Sequence, residues 1–471
     1  MIIRDVTPTR HPGMSRITIP AVALPETHSI AATDAIPRLA GNCRICYHLL
    51  QAQKIKQRVS RGISGNYRLT RKLFFAANDG VTGHEPYVTD GATIQSLGDI
   101  NPGEPRSVAD ADGTAVSLGN RVLFVADDGV HGAEFWTTDG TAENTRLLVD
   151  FAEGLLEPDI NNLTVANGLA WFNGGIPETG KELHVTDGTA FGTRLVLDLN
   201  EGPGDFGTFG FVEVNGQVAF TGVLPSIGAR LWVSDGTETG TRLLAPIISN
   251  LNEDGLLDGV LYFAGEDDVT GNELWRTDGT EAGTRLVADI NPGEDKSSPQ
   301  DFVSMGNKLF FTADDGEHGD ELWVSDGTGA GSFMVRDINP GASNPLIQGI
   351  HPLPGKVVFS AIDDAGRALW VSDGSFDGTA KIPTTATRFS GFTPVGDGSQ
   401  LVFHSLDALW VTDGTAAGTS EIFQGLDVGN DILNVGELVY FEADDGEHGN
   451  ELWVTDGTTA GTRMVADLTP G

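Results

Sequence analysis

The stretch ELWVSDGTGAGSFMVRDINPG, residues 321–341, returns nearly unchanged as ELWVTDGTTAGTRMVADLTPG, residues 451–471. Alternation along ELWVS puts Leu322 and Val324 on one side of an extended strand and Trp323 on the other. Both sides are apolar, so the sheet that contains this strand must be covered on both faces.

The flanking residues complete a unit. DFVSM (301–305) and KLFFTA (308–313) surround the two-residue turn GN and predict a hairpin. DDGEHGD (314–320) then leads into ELWVS, DGTGAG (326–331) turns the chain into a fourth strand, SFMVRDI (332–338), and NPG closes the unit. Each unit is therefore predicted to be four antiparallel strands.

The unit recurs. Phe75, Phe124, Phe172, Phe220, Phe263, Phe311, Phe359, Phe403 and Phe441 mark nine second strands, each followed by a turn aspartate: Asp90, Asp139, Asp187, Asp235, Asp278, Asp326, Asp373, Asp413 and Asp456. The Phe-to-Asp gap is 15 residues except in units seven and eight, where the intervening loop is shorter. Four-stranded sheets with two apolar faces, repeated at this period, cover one another by stacking radially, which is a β-propeller. Solenoid coils use shorter units, and separate sandwiches need about twice the residues per domain. The expected fold is all-β, a propeller of about eight to nine four-stranded blades over residues 63–471. A disordered and helical segment, residues 1–62, precedes it. Unit one is the least regular, with NYRL (66–69) as its opening strand.

The recurring residues read first as architecture. Trp136, Trp232, Trp275, Trp323, Trp370, Trp410 and Trp453 stand three residues before the turn aspartate, with Tyr87 and His184 in the remaining units. A tryptophan row can stack on sugar rings, yet one indole per blade at the same strand position is what packing between blades requires. In DGT, the aspartate can accept the amides one and two residues on, the glycine permits positive φ, and the threonine can bond back across the turn. Asp139, Asp235, Asp278, Asp326, Asp373, Asp413 and Asp456 are accordingly structural.

The loop DDGxHGxE is the candidate metal site. It groups Asp127, Asp128 and Glu134 in unit two, Asp314, Asp315 and Glu321 in unit six, and Asp444, Asp445 and Glu451 in unit nine. These carboxylates and nearby carbonyls could supply the roughly six to eight oxygens that Ca²⁺ takes, although EF-hand spacing is absent. His131, His318 and His448 recur in the same loops and are read as turn caps, since each belongs to a different unit.

Charge divides the chain. Residues 1–72 hold 12 Lys/Arg against 3 Asp/Glu, whereas the remainder holds 17 against 63. The acidic part has no basic stripe for nucleic acid or an anionic membrane; its load suits either cations or solubility alone. Residues 1 to about 40 read as a disordered arm. CRICYHLLQAQKIKQRV (43–59) then forms a basic amphipathic helix with Ile45, Leu49, Ala52, Ile55 and Val59 on one stripe. That helix lies on the main domain, meets a membrane surface or acidic partner, or belongs to a stretch upstream of the functional protein. Cys43 and Cys46 make half a metal site at best, and no other cysteine staples the repeats. No run of about 18 apolar residues predicts a membrane span, and no compact secretory signal is evident.

ELWVSDGT and ELWVTDGT, with GTRLVADINPG (283–293) behind the repeat in unit five, resemble the ELWxxDGT repeat of bacterial secreted and surface proteins, some called hyalin-like. The turns are distantly similar to the Asp-box hairpins of sialidase-type propellers. The resemblance spans residues 63–471, with departures at EPYVTDGAT and ELHVTDGT. It implies a propeller-like repeat region on exported proteins of poorly defined activity, and hence an extracellular or cell-surface location.

Nucleophile elbows, P-loops, HExxH and dinucleotide fingerprints are missing from the sequence. The leading expectation is a non-catalytic, exported propeller that binds a protein or glycan partner, with Ca²⁺ rigidifying its loops. One rival is a glycoside hydrolase or lyase with carboxylates at the central channel, for which Asp205, Glu213 and Asp431 are the candidates. A second rival is a purely structural adhesion or matrix spacer.

Overall fold

Lys308–Asp314, the second strand of the sixth repeat, shows why the units stack. Leu309, Phe310, Phe311 and Ala313 are all fully buried. Leu309, Phe311 and Trp323 join a core cluster with Leu257, Tyr262, Leu274 and Ile290 of the fifth repeat. Phe310, Leu322 and Val324 join another with Val357, Phe359 and Trp370 of the seventh. Adjacent residues of one strand thus serve two different neighbours, as the period of two dictates. Burying each such phenylalanine is worth on the order of 1.5–3 kcal/mol.

The computed structural model describes residues 73–466 apart from short stretches at 79–81, 90–93, 104–106, 109–114, 152–158, 177–179, 342 and 436. The arm and helix expected in 1–62, the strand NYRL and the turn aspartate Asp90 lie outside the described residues. Nine antiparallel sheets follow one another as blades 1 to 9: residues 73–96, 115–149, 161–197, 207–245, 248–288, 300–336, 348–382, 390–424 and 427–466. Blades 2 to 9 have four strands in sequential order, and blade 1 has three among the described residues. Each junction between consecutive blades holds one of eight hydrophobic clusters. The first strands of consecutive blades from 2 to 9 touch in turn, which makes them the inner strands of the β-propeller.

In blade 6 the strands are Gln300–Met305, Lys308–Asp314, Asp320–Ser325 and Phe333–Arg336, within a residue or two of the sequence reading. The ladder does hold bulges that the sequence does not announce. Leu322 pairs with Arg336 but Trp323 with Met334, so one extra residue enters the outer strand beside the tryptophan. The same shift occurs in blades 2, 3, 4, 5, 8 and 9. Inner strands bulge too, and in blade 4 the bulge includes Gly210 at φ +67°. A Cβ there would stand 2.6 Å from the Leu251 Cβ of the next inner strand, so only glycine lets the two strands approach this closely. Bulges raise the local twist, which lets flat blades fan around an axis.

The tryptophans belong to this packing. Trp232, Trp323, Trp370, Trp410 and Trp453 are buried, while Trp136 and Trp275 are half-buried. Trp323, Trp370 and Trp410 lie stacked over Phe311, Phe359 and Phe403, their partners across the ladder. No helix among the described residues is long and apolar enough to cross a membrane.

Candidate functional site

Three carboxylate positions repeat from blade to blade, and they do three different things. The first is the hairpin between third and outer strands. In blade 6, Asp326 Oδ1 accepts the Thr328 amide at 2.9 Å and the Thr328 hydroxyl at 2.7 Å. The Gly327 amide, one residue on, goes instead to the Ser325 hydroxyl at 2.9 Å, which also bonds Ser332 at 2.7 Å. Ser332 in turn donates to the Thr328 carbonyl. Asp139, Asp187, Asp235, Asp278, Asp373, Asp413 and Asp456 repeat the pattern, with Ser375 replacing threonine in blade 7. The motif is therefore wider than DGT. It begins at the Ser/Thr before the aspartate and ends at the Ser/Thr seven positions later, a spacing visible in the sequence but not used there. The threonine hydroxyl holds the carboxyls of Asp139, Asp187, Asp235, Asp278 and Asp326 below the ordinary aspartate range.

The second position is the acidic loop between second and third strands. Asp314 Oδ1 accepts the Gly316 amide, Asp315 Oδ1 accepts the Glu317 and His318 amides, and Asp315 Oδ2 faces His318 Nδ1 at 2.8 Å. Asp127, Asp128 and His131 repeat this in blade 2, and Asp444, Asp445 and His448 in blade 9. The histidines cap these turns, each ring nitrogen Nδ1 facing an aspartate of its own loop at 2.7–2.8 Å. Their carboxylate partners push His131 and His318 above the usual histidine range, while loop amides and His448 draw Asp445 down to about 2.

The third position is the glutamate that opens the third strand. Glu134, Glu321 and Glu451, grouped with the loop aspartates in the sequence, are fully buried instead. Glu321 Oε1 accepts the Ile338 and Asn339 amides at 3.0 and 3.2 Å, holding the connector that leaves the blade. Glu134 takes the Phe151 amide, Glu182 that of Leu199, Glu85 that of Ile100, and Glu273 those of Ile290, Asn291 and Ser297. The available signal is a glutamate recurring 17 residues before the connector amide it binds in blades 2, 3, 5 and 6. Burial pushes Glu182 and Glu321 up to about 7, with Asp198 and Asp337 adding like charge. Among the described residues no group of three or more His, Cys, Asp or Glu is placed to hold a metal ion.

Two of the three channel candidates are engaged by backbone amides. Asp205 Oδ1 accepts the Lys181 amide at 2.9 Å, and Glu213 Oε2 accepts the Asn167 amide at 3.0 Å. Asp431 lies in the inner strand of blade 9, Asp427–Val435, and its side chain is outside the described set. What varies between blades and stays exposed is apolar loop tips: Val130 and Val269 in the acidic loops, and Phe191 and Phe376 in the outer hairpins.

No family model matches the chain, and no curated protein does. Solved structures do, at low identity. A Porphyromonas gingivalis dipeptidyl peptidase 4 is 10% identical over 82% of this chain and 65% of its own, with a TM-score of 0.45. A puromycin hydrolase is 14% identical over 75% of this chain and 60% of its own, at 0.34. A nidogen/laminin complex is 13% identical over 52% of this chain and 88% of its own, at 0.27. The chain spans 53–60% of the length of the first three solved structures it matches.

Proposed function

We propose that this chain is a non-catalytic β-propeller of the ELWxxDGT-repeat type, exported or displayed at the cell surface, that binds a protein or glycan partner through its variable loops. The supporting observation is the fate of the acidic residues. In the hairpins, the acidic loops and the strand-opening glutamates, carboxylates accept bonds from the chain's own amides and hydroxyls. A carboxylate whose lone pairs hold backbone is poorly free to shuttle protons, and Asp205 and Glu213 are engaged in the same way. The repeated residues build the scaffold, and recognition falls to what differs between copies, such as the exposed tips at Val130, Phe191, Val269 and Phe376.

In this reading calcium rigidification is not needed to close the acidic loops, because each already satisfies its aspartates internally. A glycan array and direct binding measurements against purified candidate proteins, using the full chain, test the proposal. Saturable binding weakened by Phe191→Ser or Phe376→Ser, without a change in melting temperature, is the expected result. Turnover of a polysaccharide by the purified chain would overturn it in favour of a hydrolase or lyase.

A further inference from the structure

Blades 5 and 6 differ at one buried position, and in blade 6 a buried glutamate oxygen and an oxygen of the aspartate across the ladder are both left without a hydrogen-bond partner. In blade 5, Glu273 is saturated: Oε2 accepts the Ile290 amide at 2.7 Å and the Ser297 hydroxyl at 2.6 Å, and Oε1 accepts the Asn291 and Ser297 amides. Blade 1 uses Ser107 on Glu85 in the same way, at 2.6 Å. The connector position is fixed by backbone bonds. Ser107 and Ser297 donate to the carbonyl just before the glutamate, those of His84 and Asn272, and accept from Asp127 and Asp314 of the next blade. In blade 3 the residue that makes the first of these bonds, to Lys181, is Phe206; in blade 6 the residue that makes the second, from Ile362, is Pro345. Neither has a hydroxyl. Glu182 Oε1 and Glu321 Oε2 are buried with no hydrogen-bond partner and no hydroxyl on either oxygen, whereas in Glu85 one oxygen is likewise unpartnered but Ser107 holds the other.

A second carboxylate completes each gap. One step beyond the last ladder pair, Leu183 with Leu197 or Leu322 with Arg336, Glu182 stands across from Asp198 and Glu321 across from Asp337. Asp198 Oδ1 and Asp337 Oδ1 are likewise buried and without a partner. The two residue types travel together. Blades 4, 7 and 8 have Arg230, Ala368 and Ala408 at the glutamate position, and Pro246, Pro383 and Gln424 at the aspartate position.

We propose that Glu182 with Asp198, and Glu321 with Asp337, each hold one shared proton, making the connectors that leave blades 3 and 6 latches that tighten in mild acid and loosen in mild base. An anionic Glu182 or Glu321, fully buried, would stand against the half-buried Asp198 or Asp337 with like charge, whereas one proton supplies the donor that Ser297 supplies in blade 5. The other charged groups nearby do not provide it. Asp205 adds negative charge beside Glu182, while the Lys181 ammonium is drawn to Asp159 and the His184 ring bonds the Glu182 carbonyl. On the other side, His318 is paired with Asp315, and Asp320 bonds Asn344. Deprotonation would leave like charges on the third strand and on the start of the connector, and their repulsion would open the blade-to-blade joint locally.

Melting the full chain between about pH 5 and pH 8 with and without E182Q/E321Q tests the latch, because glutamine carries a permanent donor at the protonated position. The wild type should lose stability as pH rises, and the double variant should lose most of that slope and melt above wild type at the basic end. P345S, which returns the hydroxyl to blade 6, should flatten the slope in part. Infrared spectra of the unmodified chain near neutral pH give a readout that needs no variant. A protonated-carboxyl band lost on raising the pH supports the shared proton, and its absence overturns it. The latch is equally overturned if E182Q/E321Q keeps the wild-type slope, or if a chelator lowers the wild-type melt and Ca²⁺ restores it through these residues, which would put a cation in the gap.

Discussion

The outer hairpin and the buried connector glutamate of one blade are built from the same chemistry and behave oppositely. Asp278 sits at the surface of blade 5 and Glu273 at its core, five residues apart, and each carboxylate accepts the chain's own amide and a hydroxyl. The aspartate is held below its ordinary pKa, chiefly by the Thr280 hydroxyl, and the glutamate above it, chiefly by burial. Hydrogen bonds favour the anion in both places, so desolvation decides the difference. A hairpin that water can re-solvate is a local device, whereas a glutamate sealed between strand and connector is tied to the whole blade.

The largest effect should come from removing the buried glutamate that fastens the connector. Glu273→Ala strips the Ile290, Asn291 and Ser297 amides of their acceptor and leaves a cavity, at a cost of about 3–5 kcal/mol in urea unfolding. Asp278→Ala in the same blade should cost only about 1 kcal/mol, because water replaces the exposed carboxylate. Equal losses at the two positions would break the comparison.

The pH profile sharpens it next. The hairpin aspartates have depressed pKa values, so their stabilising contribution is present above the ordinary carboxylate pKa and is lost as pH falls through the lower folded values. Glu182 and Glu321, raised to about 7, contribute fully below the ordinary glutamate pKa and lose that contribution as pH rises through about 7. His131 and His318, raised by their aspartates, act in the same sense, stabilising below the ordinary histidine pKa and ceasing above the folded one. Stability measured by thermal melting should therefore peak in mildly acidic solution. A profile rising steadily to neutral pH would mean that the buried glutamates are anionic throughout.

The sequence shows the architecture far better than the site, for a physical reason. Apolar alternation through KLFFTA and ELWVS depends only on the strand period, so the strands of blade 6 and the inward tryptophans can be read directly. Bulges such as that at Trp323 depend on how far one blade must twist against the next, which no single repeat encodes. Glu321 is misleading for another reason. Chain proximity groups it with Asp314 and Asp315, but it stands at the start of the strand Asp320–Ser325, fully buried, and the amides it holds lie 17 and 18 residues onward. The serine that saturates Glu273 and the proline that replaces it in blade 6 become meaningful only once backbone bonds show both as connector anchors.

The smallest expected effect concerns calcium and the acidic loops. In the loop of blade 6, Asp315 Oδ1 already accepts two amides and Oδ2 faces His318, while Asp314 caps Gly316. Glu321, the third carboxylate that the sequence adds to this group, is fully buried and fastened to the connector amides instead. A cation at the loop would have to displace the histidine and compete with amides that cost it nothing to keep. Melting with Ca²⁺ and then with chelator should consequently differ by less than about 1 °C, below what a ligand well above its Kd confers. A shift of several degrees that Asp315→Asn abolishes, with Glu321→Gln leaving it intact, would show that the surface loops bind the ion after all. That outcome would give the hairpin-like exposed carboxylates a ligand of their own, and the contrast with the buried latch would become one of cation against proton.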